Sequence, residues 1–150
     1  MHKLYDFIEA RERLTTVVVK TKLIHSPVFS EESGNEIYLK PENLQKTGSF
    51  KIRGAYNKIA KLTEEEKKKG VIASSAGNHA QGVAYAAKRL GIKAVIVMPK
   101  HTPLIKVEAT RKYGAEVVLY GEVYDDAYKK ALELQKENGY VFVHPFNDED

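Results

Sequence analysis

Two short runs in this 150-residue chain carry residue types that could do chemistry. The first is Lys46-Thr47-Gly48-Ser49-Phe50-Lys51-Ile52-Arg53-Gly54-Ala55. It reads as a Gly-Ser cap opening a helix over about 49–60, with Lys51 in the first turn. A cation there opposes the positive end of the helix dipole, which favours the neutral amine. A neutral amine is a nucleophile toward carbonyl carbon. An ordinary solvated lysine fits the same position, and spacing alone does not choose between the two. The second run is Ser75-Ala76-Gly77-Asn78-His79, which lies between an apolar run and a helical pattern. Small residues let the backbone approach a ligand closely. The N–H groups at a helix start favour a carboxylate or a phosphate. A helix cap with no ligand fits equally well. The run is neither a G-x-G-x-x-G fingerprint nor a phosphate-binding loop ending in Gly-Lys-Ser/Thr.

The elements that would position these runs are clearest in the second half. Gly70, Gly91, Gly114 and Gly139 each precede a β-rich run, roughly two dozen residues apart. Helix, glycine stop and strand fit that length. Residues 78–90 place Ala80, Val83, Ala84, Ala87 and Leu90 on one stripe. Thr102-Pro103 reads as a cap followed by proline at the first helical position, opening a helix over 103–113. Residues 124–138 put Tyr124, Ala127, Tyr128, Ala131 and Leu134 on one face. Strands alternating with helices predict a parallel sheet covered on both faces, and such sheets bind ligands beyond the carboxyl ends of their strands. The first 69 residues are less regular. A helix is expected at 3–13 and a strand at 36–40. Thr63 and Glu66 have capping-box spacing, with Glu64 facing Lys68 and Glu65 facing Lys69.

Composition narrows the function classes. Apolar residues make up 43% and charged residues 29%, the balance of a globular protein. The formal charge of +4 is too small to argue for nucleic acid, and Lys67-Lys68-Lys69 is balanced by Glu64-Glu65-Glu66. Without cysteine there is no disulfide, zinc–cysteine site, iron–sulfur cluster or thiol nucleophile. His2, His25, His101 and His144 have no metal-ligand spacing, and they read as surface or cap residues, so no metal is expected. The charged start lacks the apolar core of a signal peptide, and the longest apolar runs, such as Ala94–Met98, are only strand-length. A cytoplasmic protein without membrane contact is the expectation.

The run from Leu39 to Ala55 resembles the cofactor-lysine motif of the threonine dehydratases. These are pyridoxal-phosphate enzymes of the fold type that includes serine dehydratases, serine racemases and the tryptophan synthase β chain. The run Ser75-Ala76-Gly77-Asn78-His79-Ala80-Gln81-Gly82 resembles that family's substrate-carboxylate loop. Val97-Met98-Pro99, Thr102-Pro103, Lys106, Tyr113–Val117 and Val143-His144-Pro145-Phe146 continue the likeness in order along nearly the whole chain.

The resemblance implies an α/β fold, a three-layer parallel-sheet sandwich like that of the tryptophan synthase β chain, present here in part. Residues 1–69 would open the large cofactor domain, 70–147 would form the small α/β domain, and 148–150 would start the return to the large one. It implies pyridoxal 5'-phosphate as cofactor, with Lys51 forming the Schiff base. Asn78 would hydrogen-bond the ring 3-oxygen, and Phe50 would pack nearby. Ser75, Ala76, Gly77, Asn78 and His79 would hold the substrate carboxylate. Some catabolic relatives bind a nucleotide effector, which would fall at Lys46, Thr47 and Gln81. The implied reaction turns threonine into 2-oxobutanoate and ammonia, and serine into pyruvate. The implied assembly is a homo-oligomer, a dimer or tetramer. Racemases of the family carry a second serine where this chain has Ala76, which favours elimination. The glycine-rich phosphate loop and the group facing the pyridine nitrogen do not occur by residue 150, so the 150 residues alone are expected to be nearly inactive. Two other readings stay open: a serine racemase or other β-eliminating or replacing enzyme, and a non-catalytic α/β fragment that binds an anion or a partner.

Overall fold

The computed structural model describes residues 3–148. Along the chain run α1 (Leu4–Leu14), β1 (Ile24–His25), α2 (Pro27–Ser33), β2 (Tyr38–Leu39) and a short 3-10 turn (Glu42–Leu44). Then come α3 (Lys51–Ala60), α4 (Glu64–Lys69), β3 (Val71–Ser74), α5 (Asn78–Leu90), β4 (Ala94–Met98), α6 (Leu104–Lys112), β5 (Glu116–Leu119), α7 (Tyr124–Asn138) and β6 (Val141–Phe142).

The last four strands form a parallel sheet in the order β5-β4-β3-β6, with Val71 opposite both Ala94 and Val141. Side chains alternate across it. Val71, Ala73, Ala94, Ile96 and Met98 pack with Ala80, Val83, Ala84 and Ala87 of α5 and Val107 of α6. Ile72, Val95 and Val97 pack with Ala127 and Ala131 of α7 on the opposite face. The result is the expected three-layer α/β sandwich. From β3 to β5 the chain steps one way with α5 and α6 on one face. The return through α7 to β6 passes the other face and lands on the far side of β3, as crossovers of a single hand require. The strand order therefore reverses between β3 and β6, and open sheets form their ligand crevice at such a switch point.

Gly91 and Gly139 end α5 and α7 in left-handed geometry (φ 69 and 72), which halts the helix and feeds the chain into the next strand. α5 is buried on more than its sheet-facing stripe. His79, Gly82 and Ala86 form a second buried row. A Cβ at Gly82 would stand 3.1 Å from the Lys51 carbonyl carbon and oxygen and 3.2 Å from the Ile52 nitrogen. The absent side chain thus lets α3 lie directly on α5.

Four expectations are corrected. α3 has no Gly-Ser cap: Phe50, itself in helical geometry, is its N-cap, and the Ser49 hydroxyl is buried without a partner. Pro103 is the N-cap of α6 rather than its first residue, because its carbonyl accepts from Lys106 and Val107. Glu64 pairs with Lys67 at 2.7 Å, one position nearer than Lys68. The strand expected at 36–40 is confined to Tyr38–Leu39, antiparallel to β1, and β1 and α2 are additional elements of the irregular first part.

In a helix interior, Gly→Ala ordinarily stabilises by up to about 1 kcal/mol. Gly54, with nothing within 4 Å of an added Cβ, should follow that rule. Gly82→Ala should instead destabilise by about 1–3 kcal/mol, since its neighbour is backbone that cannot swing aside. Urea unfolding of the two variants should give midpoints shifted in opposite directions.

Candidate active site

α3 begins at Lys51, and its contact with α5 fixes where that side chain starts. The Lys51 amine donates to the Pro145 carbonyl at 2.8 Å. The Phe50 and Phe146 rings flank it, with centroids 5.6 and 5.8 Å from Nζ. Both rings are largely exposed, at 59% and 78%. Together they edge a cleft of about 230 Å³ that His79, Val143 and His144 also line. This cleft lies between the start of α3, His79 in the first turn of α5 and the segment that follows β6. A larger groove of about 720 Å³ runs between α1 and α3, but none of the sequence-predicted site residues lines it.

The segment after β6 is held on two sides. The Val143 N–H donates to the Ile72 carbonyl at 2.9 Å, prolonging the pairing with β3. The Val143 carbonyl lies 2.9 Å from Nε2 of His79. A carbonyl only accepts, so His79 carries its proton on Nε2. Burial lowers the basicity of this imidazole, the Val143 hydrogen bond opposes that shift, and the positive charge of Lys51 adds to it. His144 caps the next turn: its Nδ1 accepts from the N–H groups of Phe146 (3.1 Å) and Asn147 (2.9 Å).

The Ser75–His79 loop follows β3 at once. The Ser75 N–H donates to the Val97 carbonyl at 3.2 Å, and the Gly77 N–H donates to the Ser75 hydroxyl at 3.3 Å. Asn78, first residue of α5, is exposed. The first N–H groups of a helix have no partner inside it, so this loop presents donors to an anion. Of the predicted residues, Phe50, Lys51 and His79 line the cleft, while Ser75, Ala76, Gly77 and Asn78 lie in the loop leading to His79. Lys46 reaches α5 away from the cleft lining: its ammonium is 6.0 Å from the Tyr85 ring, one turn beyond Gln81. Thr47 is buried, with its hydroxyl unpartnered.

A network missed in the sequence anchors α3 two residues past the lysine. Arg53 grips Glu42 through two hydrogen bonds, of 2.8 and 2.9 Å. Glu42 also accepts from Thr21 at 2.7 Å and from Gln45, whose amide exchanges two bonds with the backbone of Val19. Chiefly through the Arg53 hydrogen bonds, the Glu42 carboxyl is held down to about 2. The residue types were visible in the lysine motif. Nothing in their spacing marked them as partners.

Residues 14–150 match the family described as "Pyridoxal-phosphate dependent enzyme", and the chain belongs to it. It is 62% identical over 148 residues to the L-threonine ammonia-lyase of Thermotoga maritima, covering 99% of this chain and 37% of that protein. Its fold is similar to the processed form of threonine deaminase isoform 2 from Solanum lycopersicum, with a TM-score of 0.86 and 41% identity over 98% of this chain and 42% of that one. It is also similar to maize serine racemase, with a TM-score of 0.92 and 37% identity over 97% and 44%. The chain thus spans less than half the length of these relatives.

Acid should weaken the fold in two windows. His79 has a folded value below its unfolded one, so stability begins to fall as the pH drops below about 6.5, where the unfolded chain takes a proton that the buried ring refuses. Glu42 is depressed in the same sense, from 4.5 to about 2. Its contribution, on the order of 3 kcal/mol before solvent screening reduces it, is complete above about 4.5 and is lost as the pH falls toward about 2. Glu42→Gln should flatten only the lower window in denaturant midpoints measured across that range.

Proposed function

We propose that this chain is the lysine-bearing part of a threonine ammonia-lyase that converts L-threonine to 2-oxobutanoate and ammonia, with L-serine giving pyruvate. The observation that carries this reading is the Lys51 amine at the switch-point cleft, beside a helix start able to hold a carboxylate. The relatives' names give the substrate class. On this reading residues 1–69 open a larger cofactor domain, 70–147 form the small domain, and 148–150 lead back. Glu149 and Asp150 lie outside the described residues. The complete protein is a cytoplasmic homo-oligomer on the same reading.

The donor set fits pyridoxal phosphate at its aldehyde end. An amine stands in an open cleft between two aromatic rings, with an exposed amide side chain at the adjacent helix start. No glycine-rich run in the chain could cup its phosphate. When bound, the cofactor supplies an electron sink that makes the amino acid's Cα proton removable. Lys51 would hold it at the aldehyde carbon and, once displaced by the substrate amine, take the Cα proton on Nζ. Asn78 would donate to the ring 3-oxygen. The backbone from Ser75 to His79 would bind and orient the carboxylate, turning the Cα–H toward Lys51. Water lost at Cβ is regained on hydrolysis, so the net products are the 2-oxo acid and ammonia.

Ala76 favours elimination over racemisation, because no hydroxyl at that position can return a proton to the opposite face. The complete protein incubated with L-serine should yield pyruvate and no D-serine by chiral chromatography; accumulating D-serine would favour the racemase reading. Borohydride should leave a pyridoxyl tag on Lys51, and Lys51→Ala should abolish both the tag and at least ~10²–10⁴-fold of the rate. No tag on any residue, with cofactor supplied, would favour a non-catalytic anion-binding module.

A further inference from the structure

We infer that His144 is a positioning residue for the Lys51 amine, acting through the Pro145 carbonyl; this rests on the reading of Lys51 as the cofactor lysine. Lys51 Nζ donates 2.8 Å to that carbonyl. A proline carbonyl has no N–H of its own residue to anchor it, so the turn around it must be fixed from outside. Upstream, Val143 is clamped between β3 and His79. Downstream, the only side-chain acceptor for the N–H groups of Phe146 and Asn147 among the described residues is His144 Nδ1, at 3.1 and 2.9 Å.

The ring is itself held in place. Tyr128, Phe142 and Phe146 pack around it with centroids 6.1 Å away, and the Tyr128 and Phe146 rings meet it edge-on. An Nδ1 that accepts two N–H bonds must be unprotonated, which leaves the ring hydrogen on Nε2. Protonating Nδ1 would set a donor against two donors and open the turn. Pro145 would then be free to shift, and the lysine would lose the group that holds Nζ. Near-attack geometry is sensitive at this scale: a displacement of about 1 Å can cost ~10²-fold in rate. The titratable and charged groups around the ring are Lys51 and Lys58 of α3, His79 of α5, Tyr128 of α7 and Asp148 downstream. Lys58 and Asp148 are paired at 3.1 Å.

Two variants of the complete protein test this. His144→Phe keeps the ring packing and removes the acceptor. His144→Asn restores an acceptor, since asparagine accepts from backbone N–H groups two residues on. In cofactor-free protein, hydrogen exchange at the Phe146 and Asn147 amides should quicken about tenfold or more in His144→Phe and return toward the parent rate in His144→Asn. With cofactor, kcat should fall about tenfold or more in His144→Phe, with KM changed less than about twofold because the carboxylate loop is untouched, and His144→Asn should recover most of it. Unchanged exchange and kcat in His144→Phe would overturn the inference, as would a loss that His144→Asn fails to restore. The cofactor reading fails separately: a parent protein with no pyridoxyl tag on Lys51 after borohydride removes the catalytic role, whatever the exchange rates.

Discussion

The contact on which the other features depend is backbone against backbone, where Gly82 of α5 meets the first residue of α3. An ordinary side chain at that point would hold the two helices apart. Without one, α3 becomes a second layer over α5, and its start is delivered to the carboxyl end of the sheet. The lysine's placement is thus a packing result before it is a chemical one. Ile52, Ala55 and Ile59 bury the face of α3 that turns inward, while Lys51 and Arg53 are left on the flank to make polar contacts.

Polar interactions then refine what packing sets roughly. Arg53 and Glu42 tie the flank of α3 to the irregular segment before it, and that segment is closed on itself by Gln45 and Val19. On the opposite side of the cleft, the return from β6 is fastened by a carbonyl to His79 and by an imidazole to its own backbone. The amine sits between two independently anchored stretches of chain. Such preorganisation is what a site needs if binding is not to be spent on ordering it.

Much of this was legible in the sequence because the relevant signals are local. The glycine phasing marked the parallel strands. Thr63 and Glu66 formed the reciprocal cap that their spacing implied, at 3.3 and 2.8 Å. The buried stripe of α5 fell where the periodicity put it, and that of α7 did so at Ala127, Ala131 and Leu134 but not at Tyr124, which is exposed. β1 escaped the reading and β2 was expected too long, because each is two residues long and exposed, with no alternation to register. The corrected starts of α3 and α6 have a shared origin. In both, a backbone carbonyl one residue from the expected cap begins the hydrogen-bond ladder, and the hydroxyls of Ser49 and Thr102 take no part in it. The partners of Lys51 and His144 were out of reach for another reason. They are main-chain groups, and a sequence does not distinguish one carbonyl from another until the fold brings it near.

The position of β6 also bears on the order in which the molecule assembles. β3, β4 and β5 are near neighbours in sequence and can zip together by short crossovers. β6 must find β3 across some seventy residues, and its ladder there is two residue pairs long, prolonged by the Val143–Ile72 hydrogen bond. Long-range pairing of this kind comes late in folding, and weakly paired edges are the first to fray. One wall of the cleft is therefore built on the strand whose pairing spans the longest stretch of chain in this sheet, and local opening at that edge would loosen the grip on the amine while the remaining sheet stays intact.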